Sequence, residues 1–161
     1  MADLKVTLQE SITLPNRNVE TLYNTATISG VNQILRRTDT ITTEFSGSGI
    51  EILKFVDSEA EQTAGAFVKD DVKYIRITNL DTTNYVLIYL IDTNEESVLF
   101  KLEPKKSLMF GDANFNATQN GDYVVEGVWD EDYYSGFVYY DTIKAKAETA
   151  NVQIEYFVAS A

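Results

Sequence analysis

The chain has 161 residues, 25 acidic and 13 basic, giving a net charge of −12, and it contains neither cysteine nor histidine. A domain of this length hides about 70% of the surface its unfolded chain exposes, so no disulfide or structural metal is needed to hold a core. The missing thiol and imidazole exclude thiolate metal sites, Ser-His-Asp chemistry and imidazole acid–base catalysis, while the acidic excess disfavours nucleic acid and anionic membrane surfaces as partners.

Taken in order, Leu4, Val6 and Leu8 alternate with Lys5, Thr7 and Gln9, the pattern of a strand with one wet face. A slip near Glu10 and Ser11 reads as a bulge before Ile12 and Leu14, and Pro15-Asn16-Arg17-Asn18 reads as a turn. Residues 21–29 are threonine-rich and again strand-like. Val31, Ile34 and Leu35 have helical spacing, but the β-branched run at 38–45, with Ile41 and Phe45 inward, favours an irregular or strand-like segment. Ser46-Gly47-Ser48-Gly49 is a corner leading to an alternating strand over 50–55. Residues 57–65 are polar and small, an exposed loop, before a short strand at 66–68 and a turn at 69–71.

The central block over 72–110 carries four runs rich in β-branched and aromatic residues. Ile75 and Ile77 point to one side, Tyr74, Arg76 and Thr78 to the other, and a half-buried Arg76 requires a carboxylate or carbonyl partner. Asp81-Thr82-Thr83-Asn84 supplies side chains that bond their own backbone in a hairpin turn. Residues 85–91 have no wet face, which predicts the most central strand, covered on both sides. Val98, Phe100 and Leu102 alternate in the next strand, and Pro104-Lys105-Lys106 is a corner. Beyond it, 111–120 reads as a loop, 122–129 as a strand, and Asp130-Glu131-Asp132 as an acidic tip. Residues 144–150 read as a helical turn, and Val152, Ile154, Tyr156 and Val158 as the last strand. About ten short strands without a long helix predict an all-β fold, an antiparallel, jelly-roll-like β-sandwich with little helix. We expect a single β domain over 1–161, divisible at most into an N-terminal β segment, 1–56, and a main sandwich, 66–161.

Three groups of residues offer chemistry. Asp130, Glu131 and Asp132, with Glu126 near, present oxygens to a hard cation, but the spacing does not match a calcium loop, and a solvated tip is the preferred reading. Any two of so many carboxylates could be imagined as a glycosidase pair, which carries no information. No catalytic residue, cofactor or metal site is therefore assigned. Tyr133, Tyr134, Tyr139 and Tyr140 are the densest aromatic cluster. Ordinary packing is their first reading, a subunit interface the second and stacking on sugars the third. Arg36-Arg37 and Lys105-Lys106 are basic pairs on an acidic molecule, either solvated corners or docking points for an acidic neighbour. The residues taken forward as candidate interface are Arg36, Arg37, Tyr133, Tyr134, Tyr139 and Tyr140.

The opening residues 1–8 (Met-Ala-Asp-Leu-Lys-Val-Thr-Leu), the motif Tyr74-Ile75-Arg76-Ile77-Thr78-Asn79-Leu80-Asp81 with Thr82-Thr83-Asn84, and Leu102-Glu103-Pro104-Lys105-Lys106-Ser107 resemble small β-sandwich virion structural proteins of tailed bacteriophages. The resemblance covers the first strand and roughly residues 66–111, and it assigns no binding residue. It implies a capsid decoration or cement protein, a homotrimer bound to the major capsid protein on the virion surface. Arg36 and Arg37 are then expected to meet acidic capsid groups. It further implies no enzyme activity, no cofactor, and no nucleic-acid or membrane partner. Synthesis in the host cytoplasm follows, in keeping with an N-terminus that lacks signal-peptide blocks and a longest apolar run too short to span a bilayer. A tail, neck or fibre-associated protein and a carbohydrate-binding module are the alternatives.

Overall fold

The computed structural model describes residues 2–13, 15, 19–44, 47, 49–92, 94–110 and 140–161. Eleven strands lie among the described residues: β1 (Ala2–Thr13), β2 (Val19–Val31), β3 (Gln33–Ile41), β4 (Ile50–Val56), β5 (Ala66–Val68), β6 (Val72–Asn79), β7 (Val86–Asp92), β8 (Ser97–Leu102), β9 (Ser107–Phe110), β10 (Tyr140–Lys146) and β11 (Val152–Ser160). Two single 3-10 turns, Glu59–Glu61 and Lys69–Asp71, are the helical elements among them. The expected all-β antiparallel sandwich is what the chain forms.

One layer runs β3-β11-β6-β9 and the other β5-β4-β10-β7-β8, while β1 and β2 pair only with each other. Setting aside β5, which lies parallel to β4, the sandwich strands among the described residues number eight. The first pairs with the last (β3 with β11), the second with the seventh (β4 with β10), the third with the sixth (β6 with β9) and the fourth with the fifth (β7 with β8), all antiparallel. That nesting is a double ribbon rolled on itself, the jelly roll. The strands of residues 33–56 thus sit in the same two sheets as those of 66–161.

Alternation explains the core. On β11, Val152, Ile154, Tyr156 and Val158 are at most 1% exposed, while Gln153, Glu155 and Phe157 face the other way. They meet Ile75 and Ile77 of β6 and, across the sandwich, Phe55, Ile88, Leu90 and Ile143. Phe100 and Phe110 close the β8–β9 side edge to face, with centroids 6.0 Å apart. Among the described residues one charged side chain is buried. Lys69 is only 5% exposed, with Nζ 2.7 Å from both Asp57 and Asp141. Burial pulls its pKa down, but bonds to the two carboxylates outweigh this and hold it above the ordinary lysine value.

Three expectations change. Residues 144–146 are not a helical turn but the end of β10, the middle strand of its sheet. Strand β7, expected to be most central, lies one place in from the edge strand β8. The pairing of β1 with β2 runs unbroken from Leu4 to Thr13, so there is no bulge at Glu10; the shift falls between Ala2 and Leu4. The segment after Val31 is strand, β3, in line with the strand-like reading and not with the helical spacing of Val31, Ile34 and Leu35.

The hairpin between β6 and β7 is built as its residues foretell. Asp81 Oδ1 accepts the amides of Thr83 and Asn84, both at 2.7 Å, and those bonds hold its carboxyl below the usual carboxylate range. Beneath it Asn79, wholly buried, donates Nδ2–H to the carbonyls of Asn84 and Leu102 at 2.9 and 3.0 Å, and its Oδ1 accepts the Asp81 amide. Removing that amide strands two acceptors. Asn79→Ala is expected to lower the unfolding free energy by about 2 kcal/mol, read from urea denaturation; a change near zero would mean that water replaces the side chain.

Candidate functional site

The β1–β2 ribbon is the part of the molecule whose construction the sandwich does not explain. Opposed residues share a face, so the register fixes two sides. Leu4 with Ile28, Val6 with Ala26, Leu8 with Asn24, Glu10 with Leu22, and Ile12 define one side; Lys5 with Thr27, Thr7 with Thr25, Gln9 with Tyr23, and Ser11 with Thr21 define the other. By register the first side is apolar but for Glu10, Asn24 and Glu20, which stands opposite Ile12. The second is polar but for Tyr23 and, in register with Thr13, Val19, and it is linked across the strands by the Thr7 and Thr25 hydroxyls at 3.2 Å.

The apolar side is covered only at its base. Ile28 and Val31, 1% and 6% exposed, pack with Leu4 and Val6 against Tyr74, Phe157 and Ala159 on the outer face of β6 and β11. Tyr74 and Phe157 meet edge to face, with centroids 6.1 Å apart. Beyond that contact the same stripe continues through Leu8, Ile12 and Leu22, which are 45%, 55% and 63% exposed. The residues from Leu8 to Thr13 carry the ribbon on by about 20 Å. The arm is coupled tightly to the body at its root. Only Asn32 separates β2 from β3, and its amide donates to the Ser160 carbonyl at 2.9 Å. Gly30 turns the chain there with φ +78°, a conformation that costs a side-chain-bearing residue about 1 kcal/mol.

Next to the arm, the outer face of β3-β11-β6-β9 is mixed. Arg36 lies opposite Phe157, which lies opposite Arg76, which lies opposite Met109, forming one row across all four strands. Glu155, in the adjoining row, binds both arginines. Its Oε2 accepts Arg36 Nε–H and Nη2–H at 2.8 and 2.6 Å, and its Oε1 accepts Arg76 Nη2–H at 2.6 Å. The Arg36 bonds first, then the nearby Arg76 charge, hold the Glu155 carboxyl below the usual range despite its burial. Two guanidiniums therefore share one carboxylate, leaving a net positive spot on a strongly acidic molecule. A groove of about 300 Å³ opens between this face and the arm, lined by Leu4, Lys5, Val6, Thr7, Tyr74, Arg76, Met109 and Phe157.

The described candidate interface residues, Arg36, Arg37 and Tyr140, do not gather into one site. Arg36 and Arg37 point to opposite faces of β3. Arg37 Nε donates to Asp39 Oδ1 at 2.9 Å, and Asp39 Oδ2 accepts the Tyr156 hydroxyl at 2.7 Å, so each arginine already has a carboxylate. Tyr140 is half-buried against the sandwich core, the packing role. Tyr133, Tyr134 and Tyr139, and the acidic tip at Asp130, Glu131 and Asp132 with Glu126, lie outside the described residues. Among the described residues no three acidic side chains converge as a metal site requires. What the sequence reading missed is the arm, although its alternation at Leu4, Val6 and Leu8 was visible. The missing signal was the pairing with Leu22 and Ile28.

The Glu155 bridge gives a pH-dependent test. Its folded-state pKa is depressed, so it stabilises the fold above the ordinary glutamate range, and that contribution is lost as pH falls through the folded value. At pH 7 Glu155→Gln is expected to cost about 2 kcal/mol, and the gap from the unaltered chain should close as pH drops below about 4.3. A gap independent of pH would contradict the bridge.

Comparison of the chain with protein-family models, with curated proteins and with solved structures finds no match.

Proposed function

We propose that the chain is a structural protein of a bacteriophage particle, a head decoration or cement protein that self-associates and grips the assembled shell. The observation that carries this reading is the arm. A rigid jelly-roll body projects a ribbon whose apolar stripe is covered at the root and bare at the tip. A two-stranded ribbon alone in water is at best marginally stable, so a long one with a bare apolar side is suited to burial against a neighbour. The resemblance of residues 1–8, 74–84 and 102–107 to virion proteins points the same way, and residues 2–8 are part of the arm itself.

In this reading the protein works by mass action. Binding the assembled lattice and not its separated subunits stabilises the lattice by the free energy of binding. Neither chemistry nor a cofactor has a part in it. The Arg36 and Arg37 pair fits a joint docking role less well than the sequence suggested, since the two point to opposite faces of β3 and each already binds a carboxylate, Glu155 or Asp39. The arm takes over that role.

Gold-labelled antibody against this chain, applied to purified particles and imaged, tests the placement. Label distributed over the head is expected. Label confined to the tail, or particles that carry none, would overturn it.

A further inference from the structure

The bare stripe and the groove beside the arm's root have matching chemistry. The stripe offers aliphatic side chains at Leu8, Ile12 and Leu22, with the carboxylate of Glu10 opposite Leu22 and Glu20 in register with Ile12. The groove offers apolar walls at Tyr74, Phe157 and the half-exposed Met109, flanked by Lys5 and Arg76; among the described residues its lining holds no carboxylate. On a chain of net charge −12, a sheet face on which Arg36 and Arg76 share the carboxylate of Glu155 is an exception, and it lies beside an apolar groove that Lys5 also lines. The arm cannot fill its own groove with its tip, because its root forms one wall and the tip runs away from it.

We infer that the tip of one copy's arm seats in the groove of a second copy, with Leu8, Leu22 and Ile12 against Met109 and Phe157 and Glu10 toward Lys5 and Arg76. The interaction extends an interface already present within each chain, since the same side of the ribbon packs on the same face of the sheet at its root. Each copy gives one arm and receives one, a head-to-tail contact that closes into a ring when the rotation between copies allows. This deepens the self-association proposed above and rests on that reading only for the number of copies in the ring.

Sedimentation velocity on the full chain across a range of concentrations is the test. The unaltered protein is expected to associate. Leu22→Asp should weaken association at least tenfold, while Thr25→Asp, on the ribbon's polar side, should leave it unchanged. A charge exchange keeps the test independent of any effect on folding. Glu10→Lys and Lys5→Glu should each weaken association by about tenfold, and the double variant should recover most of the loss. A monomer at every concentration, association indifferent to Leu22→Asp, or a double variant no better than the singles would each overturn the arm exchange. Heads that still carry label when exchange fails would leave the proposed placement standing, and a stable ring absent from particles would do the reverse.

Discussion

A two-stranded ribbon has no second layer of its own behind which to hide an apolar side, and its stability depends on what covers it. Here the cover is the outer face of β6 and β11, where Tyr74, Phe157 and Ala159 replace the polar residues that a solvated sheet face would carry. That substitution fixes the arm's direction and lets β2 run into β3 across a single residue. It also leaves the second half of the stripe, from Leu8 outward, without the same protection. The arm, its root, the groove and the shared arginine bridge are consequences of one sheet face having been made sticky.

The rest of the molecule makes that face dependable. The jelly roll buries alternate residues of β6 and β11 between two sheets, so the backbone carrying Tyr74, Arg76, Glu155 and Phe157 is held from the opposite side by Ile75, Ile77, Ile154, Tyr156 and Val158. Glu155 then fixes the outer side chains against each other through two guanidiniums. The hydroxyl of Tyr156, bonded to Asp39, ties β11 to the edge strand β3, and burial followed by that bond pushes the phenol pKa well up. A docking face laid over a packed core loses little conformational freedom when a partner arrives, which favours binding.

Strand character was legible wherever alternation was clean: β4, β6, β8 and β11 follow their apolar residues closely, and the Asp81 turn follows from side chains that bond their own amides. Strand β10 was not legible. Its sequence, Tyr-Asp-Thr-Ile-Lys-Ala-Lys, buries only Ile143 and Ala145 fully, because its outer side is half-exposed even at the centre of the sheet. Position in a sheet is set by hydrogen bonding on both edges, and hydropathy reports burial of faces, which is why the wholly apolar β7 was misplaced at the centre. The arm escaped for a related reason. The apolar period of β1 reveals that one side wants cover, but not how much of it receives any, since that depends on the register with β2 and on Tyr74 and Phe157, distant in sequence. Arg36 and Arg37, adjacent on a strand, point to opposite faces, and each face supplies its arginine with a carboxylate, which the sequence alone does not show.

The central claim is that the outer half of the arm is covered by another copy. Amide hydrogen exchange, followed by mass spectrometry on the full-length protein at low and high concentration, addresses it directly. The account predicts that peptides spanning residues 7–13 and 19–24 slow their exchange on concentration, together with those containing Met109, while peptides of β10 are unaffected. Arm amides that exchange at the same rate at both concentrations would contradict it.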